Sequence, residues 1–359
     1  MRSLFKRAAF VLLSAAILLG TARLIPTRIP PAESPPEVYV YNGYAVTTLA
    51  AYDADALEYA ARKFQQLYDR YLTANAGHIY LSVVPDKGSF TQPPAWYTPA
   101  SAEETAHALL ASLDFAQYVD IAPLLALPDY YRTDLHWRQE CLTPVAQALA
   151  QAMDVPLAGT YRQQTLDIPF HGTYWDKAGE PLTADTLSYL TNDVLDACTV
   201  WNYETDSACG LYDLDAAQTD TPYDLFLAGS RSLLRIESPL SSTQRQLVVF
   251  RDSFASSLIP LLAESYRTIT LVDIRYLAGD LLGRFVTFSG DEDVLFLYST
   301  AVSTTARPCA ERTPENVYKN APCTGSIFIY VSLYYMHIIP FAIRKTLSPA
   351  PASPWRECR

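Results

Sequence analysis

At 359 residues, half of them hydrophobic and 12% aromatic, the chain is long and apolar enough to bury one large core, which excludes a wholly disordered protein. A formal net charge of -11 and the lack of any Lys/Arg stripe exclude a nucleic-acid partner, because neutralising phosphates takes a clustered positive surface.

Arg2, Lys6 and Arg7 precede the apolar run from Ala8 to Gly20, so residues 1–25 are read as a signal peptide or a signal anchor. The run is short for a full span and no Ala-X-Ala site follows it, which leaves both readings open. Either one predicts an extracytoplasmic protein, secreted or held at the cell membrane by this segment. Residues 26–37 carry five prolines between Pro26 and Pro36 and are expected to form an extended spacer, with the folded domain over 38–300.

Within that domain, Leu57, Ala60, Ala61, Phe64 and Leu67 recur at helical spacing, followed by an apolar strand from His78 to Val84. Ser101 and Glu104 form a capping box that opens a helix through Leu113, ahead of a short strand at Tyr118–Ile121. Thr143-Pro144 starts a third helix through Met153. From Leu157 to about Thr221 periodicity is weak, and the expectation is irregular or hairpin structure capping the sheet. Strands are then expected at Gln246–Phe250, Thr268–Val272 and Val294–Tyr298, with helices at Ala255–Leu262 and Tyr276–Leu282. This alternation predicts an α/β domain with a mainly parallel sheet and a ligand crevice at the carboxyl ends of its strands.

Six cysteines fit an oxidising compartment. Cys198 and Cys209 are close enough to close a short loop and Cys309 and Cys323 offer a second pair, with free thiols as the alternative; no spacing suggests a zinc site.

Ser253 falls on the turn between an expected strand and an expected helix, in Phe250-Arg251-Asp252-Ser253-Phe254. Such a turn aims a hydroxyl into the crevice beside backbone N–H groups able to stabilise an oxyanion, although a serine there also serves simply as a helix N-cap. A serine nucleophile needs a base. Asp134 and His136 are two apart and so share one side of an extended segment, where the carboxylate would orient the imidazole. Read structurally, His136 would be a buried, hydrogen-bonded histidine and Asp134 a turn cap. No third ligand lies nearby for a metal.

The stretch Tyr131-Arg132-Thr133-Asp134-Leu135-His136-Trp137 resembles the signature of the DHHW family, named for Asp-His-His-Trp. That family is related to the alginate-type O-acetyltransferases of the SGNH hydrolase superfamily. Arg251–Phe254, Leu258–Leu262 and Val272–Tyr276 resemble its serine block, and Val83–Lys87, His171–Trp175 and Tyr223–Leu227 are similar more weakly. The likeness runs from about Val38 to Thr300. It departs at Leu135, which replaces the first His, and at Ala228-Gly229-Ser230, which stands where a Gly-Gly-Asn is expected.

The resemblance implies an SGNH-like three-layer α/β/α fold, with Ser253 as nucleophile, His136 as base and Asp134 as orienting acid. Gly229 and Ser230 become candidates for the oxyanion site, and Tyr131 and Trp137 for substrate contacts. It implies O-acetyl transfer to a polysaccharide, a membrane-bound O-acyltransferase partner delivering acetyl groups, and no metal or soluble cofactor. Two alternatives stay open: a carbohydrate O-acetyl esterase with the same triad, and a non-catalytic glycan-binding subunit of an acetylation complex. Residues 301–359 change composition abruptly and are expected to be an atypical, poorly ordered tail.

Overall fold

The computed structural model describes residues 36–48 and 52–301. The readings made for the N-terminal segment, most of the proline-rich spacer, the tail and the pair Cys309/Cys323 lie outside these residues. Among the described residues no helix is long and apolar enough to cross a membrane.

In chain order the elements are a hairpin of β1 (Val38–Tyr41) and β2 (Tyr44–Thr47), α1 (Ala54–Leu67), β3 (Ile79–Val84), α2 (Ala102–Leu110), β4 (Gln117–Tyr118) and α3 (Thr143–Ala152). A second hairpin, β5 (Arg162–Phe170) and β6 (Asp185–Thr191), leads to the single turn α4 (Asp193–Asp196), β7 (Thr199–Asn202), β8 (Ser207–Cys209) and β9 (Leu233–Glu237). Then come β10 (Gln246–Arg251), α5 (Ala255–Leu262), β11 (Thr268–Val272) and β12 (Asp293–Ser299).

The central sheet has eight strands in the order β4-β3-β12-β10-β11-β9-β7-β8. From β4 to β11 every neighbouring pair is parallel, and β9, β7 and β8 add an antiparallel extension. Parallel strands covered on both faces need apolar residues on both, which explains the unbroken run Leu247-Val248-Val249-Phe250 in β10. Leu247 and Val249 enter one core, together with α3 and α5. Val248 and Phe250 enter the other, against α1 and α2. The result is the expected three-layer α/β/α architecture.

Several expected elements are corrected. Tyr276–Leu282 is not a helix: Tyr276 and Leu277 both donate to the Asp273 carbonyl in a turn, and a 3₁₀ segment follows at Gly279–Arg284. Gly279 and Gly283 weaken any α-helix there, and Gly279 packs its backbone closely on Leu67. The strand at Tyr118–Ile121 shortens to Gln117–Tyr118, because the Asp120 carboxylate takes the Ala122 N–H at 3.0 Å and starts a 3₁₀ turn with Pro123. The middle segment does more than cap the sheet, since β7 and β8 extend it. Cys198 keeps a free thiol that donates to the Val194 carbonyl at 3.3 Å. Cys209 faces Val200 across the β7–β8 pairing, two residues beyond Cys198, so the short-loop bridge is not made.

Candidate active site

The site lies where β3, β12 and β10 end side by side. Ser253 follows β10 by two residues and is only partly buried. Its turn is fixed by its neighbours. Asp252 accepts the Phe254 N–H at 3.1 Å through one oxygen and the Ser299 N–H and hydroxyl, both at 2.7 Å, through the other. The fully buried Arg251 guanidinium donates to Ser256 Oγ at 3.0 Å and to the Arg231 carbonyl at 3.3 Å. Helix α5 begins with Phe254 as its N-cap and no side-chain cap, so the Ser253 hydroxyl does not serve as one.

Asp134 and His136 sit on a loop pinched by the bridge between Tyr130 and Trp137 and by the Tyr131 N–H bond to the His136 carbonyl. Asp185, at the start of β6, accepts the N–H groups of Arg132 and Thr133 at 2.8 and 2.7 Å and the Thr133 hydroxyl at 2.6 Å. Thr133 Oγ1 in turn accepts the Gly172 N–H at 2.9 Å. A Cβ on Gly172 would stand 2.3 Å from the Asp134 Cβ, so only glycine permits this approach.

One oxygen of Asp134 accepts from the His136 N–H at 3.0 Å and from Nδ1 at 2.6 Å; the other accepts from the Thr173 N–H at 2.9 Å and its hydroxyl at 2.8 Å. Burial pushes this carboxyl up, but the charge of His136 and these hydrogen bonds outweigh burial and hold it well below the usual carboxylate range. An ionised carboxylate only accepts, so Nδ1 carries the proton. In the neutral form that acts as a base the imidazole has its lone pair on Nε2, where it would accept from the Ser253 hydroxyl across the 2.8 Å contact. Residues 117 positions apart are thus joined in one line of hydrogen bonds.

The imidazole is also stacked on the Tyr223 ring, with centroids 3.7 Å apart and planes within 6°. The Tyr223 hydroxyl bonds Ser257 on α5 at 2.8 Å. Tyr223 and Thr173 were legible only as parts of weakly similar stretches, and Asp185 carried no signal. Leu135, the departure from the signature, is partly buried against core residues.

The four supporting candidates divide. Trp137 is fully buried, and its indole N–H meets the Phe254 carbonyl and Ser257 Oγ, both at 3.0 Å, so it braces α5 and cannot touch substrate. Tyr131 is likewise fully buried, edge-on to Phe170 at 4.9 Å. The Gly229 N–H is committed to the Phe226 carbonyl at 3.1 Å. With φ at +84° and Asp224 where a Cβ would go, Gly229 makes a turn and leaves no N–H for an oxyanion. Ser230 beside it is exposed.

No family model and no curated protein matches the chain. Solved structures do. A DHHW family protein from Eubacterium siraeum DSM 15702 is 24% identical, with a TM-score of 0.56 over 74% of this chain and 93% of its own. Bacillus cereus PatB1 with a sulfonyl adduct is 17% identical, with a TM-score of 0.58 over 74% of this chain and 95% of its own. The O-acetyltransferase domain of Pseudomonas putida AlgJ gives a TM-score of 0.46 at 14% identity, over 79% and 98% of the two chains. The likeness to the DHHW family expected from the two motifs is therefore present in the fold: this chain is built on the same mainly parallel, three-layer α/β/α frame as the Eubacterium siraeum DHHW protein.

Proposed function

We propose that the protein is an extracytoplasmic, serine-dependent O-acetyltransferase of the DHHW type, acting on hydroxyl groups of a cell-surface or exported polysaccharide. Ser253 is the nucleophile, His136 the general base and Asp134 the orienting acid. The observation that carries this reading is the unbroken line Asp134–His136–Ser253, at 2.6 and 2.8 Å, at the carboxyl end of the sheet.

In the first half-reaction His136 Nε2 takes the Ser253 proton as Oγ attacks the acetyl carbonyl. The imidazolium, stabilised by Asp134, then returns that proton to the departing donor oxygen, leaving an acetyl-serine. In the second half a sugar hydroxyl gives its proton to Nε2 and attacks the acetyl carbon, and His136 reprotonates Ser253 Oγ. The N–H groups of Phe254, Ala255 and Ser256 are bonded to Asp252 and Ser253, so the candidate oxyanion donor is the backbone N–H of Ser253 itself, at the turn into α5. Acetyl-coenzyme A is a cytoplasmic metabolite, so the donor side calls for a membrane-bound O-acyltransferase partner, reached by an enzyme either secreted or held at the membrane by its N-terminal segment.

The test is acetate release from a chromogenic ester by the purified protein beside Ser253→Ala and His136→Ala. Each variant is expected to lose about a thousandfold or more in kcat. Unchanged turnover in both would remove the triad from the mechanism. Oligosaccharide acceptors that gain acetyl at the expense of hydrolysis would mark a transferase; a preference for water would mark an esterase.

A further inference from the structure

We propose that Lys87 is a positioning residue for this site: its buried ammonium group sets the loop that carries Asp134 and His136 by binding that loop's backbone carbonyls. The inference rests on the triad reading above.

Lys87 arrives from β3, whose carboxyl end lies two strands from that of β10, and it is fully buried. Its Nζ stands 2.6 Å from the Asp134 carbonyl, 2.9 Å from that of Tyr131 and 3.5 Å from that of Arg132. The loop is too short for a ladder of its own, and carbonyls taken out of water need donors. A lysine ammonium supplies three N–H groups from one point, which fits carbonyls converging on one spot. The division of labour is complementary: Asp185 takes the loop's N–H groups at Arg132 and Thr133, Lys87 takes its carbonyls at Tyr131 and Asp134, and those of Arg132 and Thr133 are held at 2.8 and 2.9 Å by the N–H groups of Ala45 and Tyr174. The carbonyl it holds most closely belongs to Asp134 itself, so moving it moves the carboxylate that aims His136.

The groups facing the ammonium are the carboxylates of Asp86, Asp134 and Asp185 and the Tyr174 ring, 5.9 Å away. Burial lowers the Lys87 pKa to about 8 against the pull of these carboxylates, Asp134 foremost. Above that pH the neutral amine has two N–H groups for its carbonyls and no charge for Asp134. The sign for stability is opposite. Between about 8 and the ordinary lysine value of 10.5 the unfolded chain binds the proton that the folded chain has lost, so this group's contribution to stability rises with pH. Activity lost through this group is therefore not unfolding.

The experiment compares wild type, Lys87→Met and Ser253→Ala on a chromogenic acetyl ester across pH values spanning 8, with kcat, KM and the thermal midpoint measured at each. Expected for the wild type is a fall in kcat centred near pH 8, with KM steady and no drop in the thermal midpoint. Lys87→Met should turn over roughly 100-fold more slowly, as for a misplaced catalytic group, and lack that alkaline limb. Lys87→Met with wild-type kcat, or with the limb intact, would overturn the proposal. If Lys87→Met does not fold, the wild-type profile decides alone, and a flat kcat through pH 8 overturns it. Full activity in Ser253→Ala would instead sink the triad reading, whatever Lys87 does.

Discussion

Tyr223 meets two partners, and its two halves are separable by mutation. Its ring lies flat on His136, while its hydroxyl reaches Ser257, which also holds the Trp137 indole. Tyr223→Phe keeps the stack and removes only a hydrogen bond from a serine that has another partner. Tyr223→Leu keeps apolar bulk and removes the stack, which is worth about 1 kcal/mol in comparable aromatic pairs. Steady-state kinetics should therefore show Tyr223→Phe close to wild type and Tyr223→Leu with kcat down roughly 5-fold to 10-fold and little change in KM. Equal losses in the two variants would move the role from ring to hydroxyl.

The parts that carry the site were unequally legible, for physical reasons. The turn from β10 into α5 was readable because a strand buried on both faces writes an apolar run and the helix after it is buried throughout. The Asp134–His136 pair was readable by its spacing alone. The hairpin of β5 and β6 was foreseen only as irregular or hairpin structure without bounds: β5 begins Arg162-Gln163-Gln164-Thr165, with these residues exposed, and its pairing shifts register between Thr165 and Pro169. Nothing in its pattern marks Asp185, which clasps the loop backbone, and the Gly172–Thr173 approach to Asp134 was marked only by the weak likeness of His171–Trp175. β9 was missed because Arg235, on its exposed side, and Glu237 interrupt its apolar run. The tightest of these contacts gives a prediction. Gly172→Ala would put a Cβ 2.3 Å from the Asp134 Cβ and 2.6 Å from the Asp134 backbone, so the two segments must part, which should cost roughly 1 to 3 kcal/mol of stability in denaturant titration and lower kcat with it. A Gly172→Ala protein with wild-type stability and activity would show that the hairpin does not hold the loop.

At the level of the whole molecule, the sheet order does the assembling. β3 and β10 flank β12, so the segments after them meet at one edge: Asp86 and Lys87 from the first, Asp252 and Ser253 from the second, with Ser299 of β12 bonded to Asp252 between them. The loop bearing His136 is laid across that edge, tied by Gln139 both to Ser257 on α5 and to Leu190 on β6. Local periodicity foretold the parallel strands β3, β10, β11 and β12 but not their neighbours, which is why the motifs were visible in the sequence while Asp185 and the roles of Lys87 and Tyr223, both within weakly similar stretches, emerged only from the fold. The central claim is that Ser253 takes up the acetyl group. Rapid acid quench of the protein turning over an activated acetyl ester, followed by peptide mass spectrometry, reads it directly. One acetyl group on the peptide containing Ser253, absent from His136→Ala, is the predicted result; steady turnover with that serine never modified, or with the acetyl group on another residue, would contradict it.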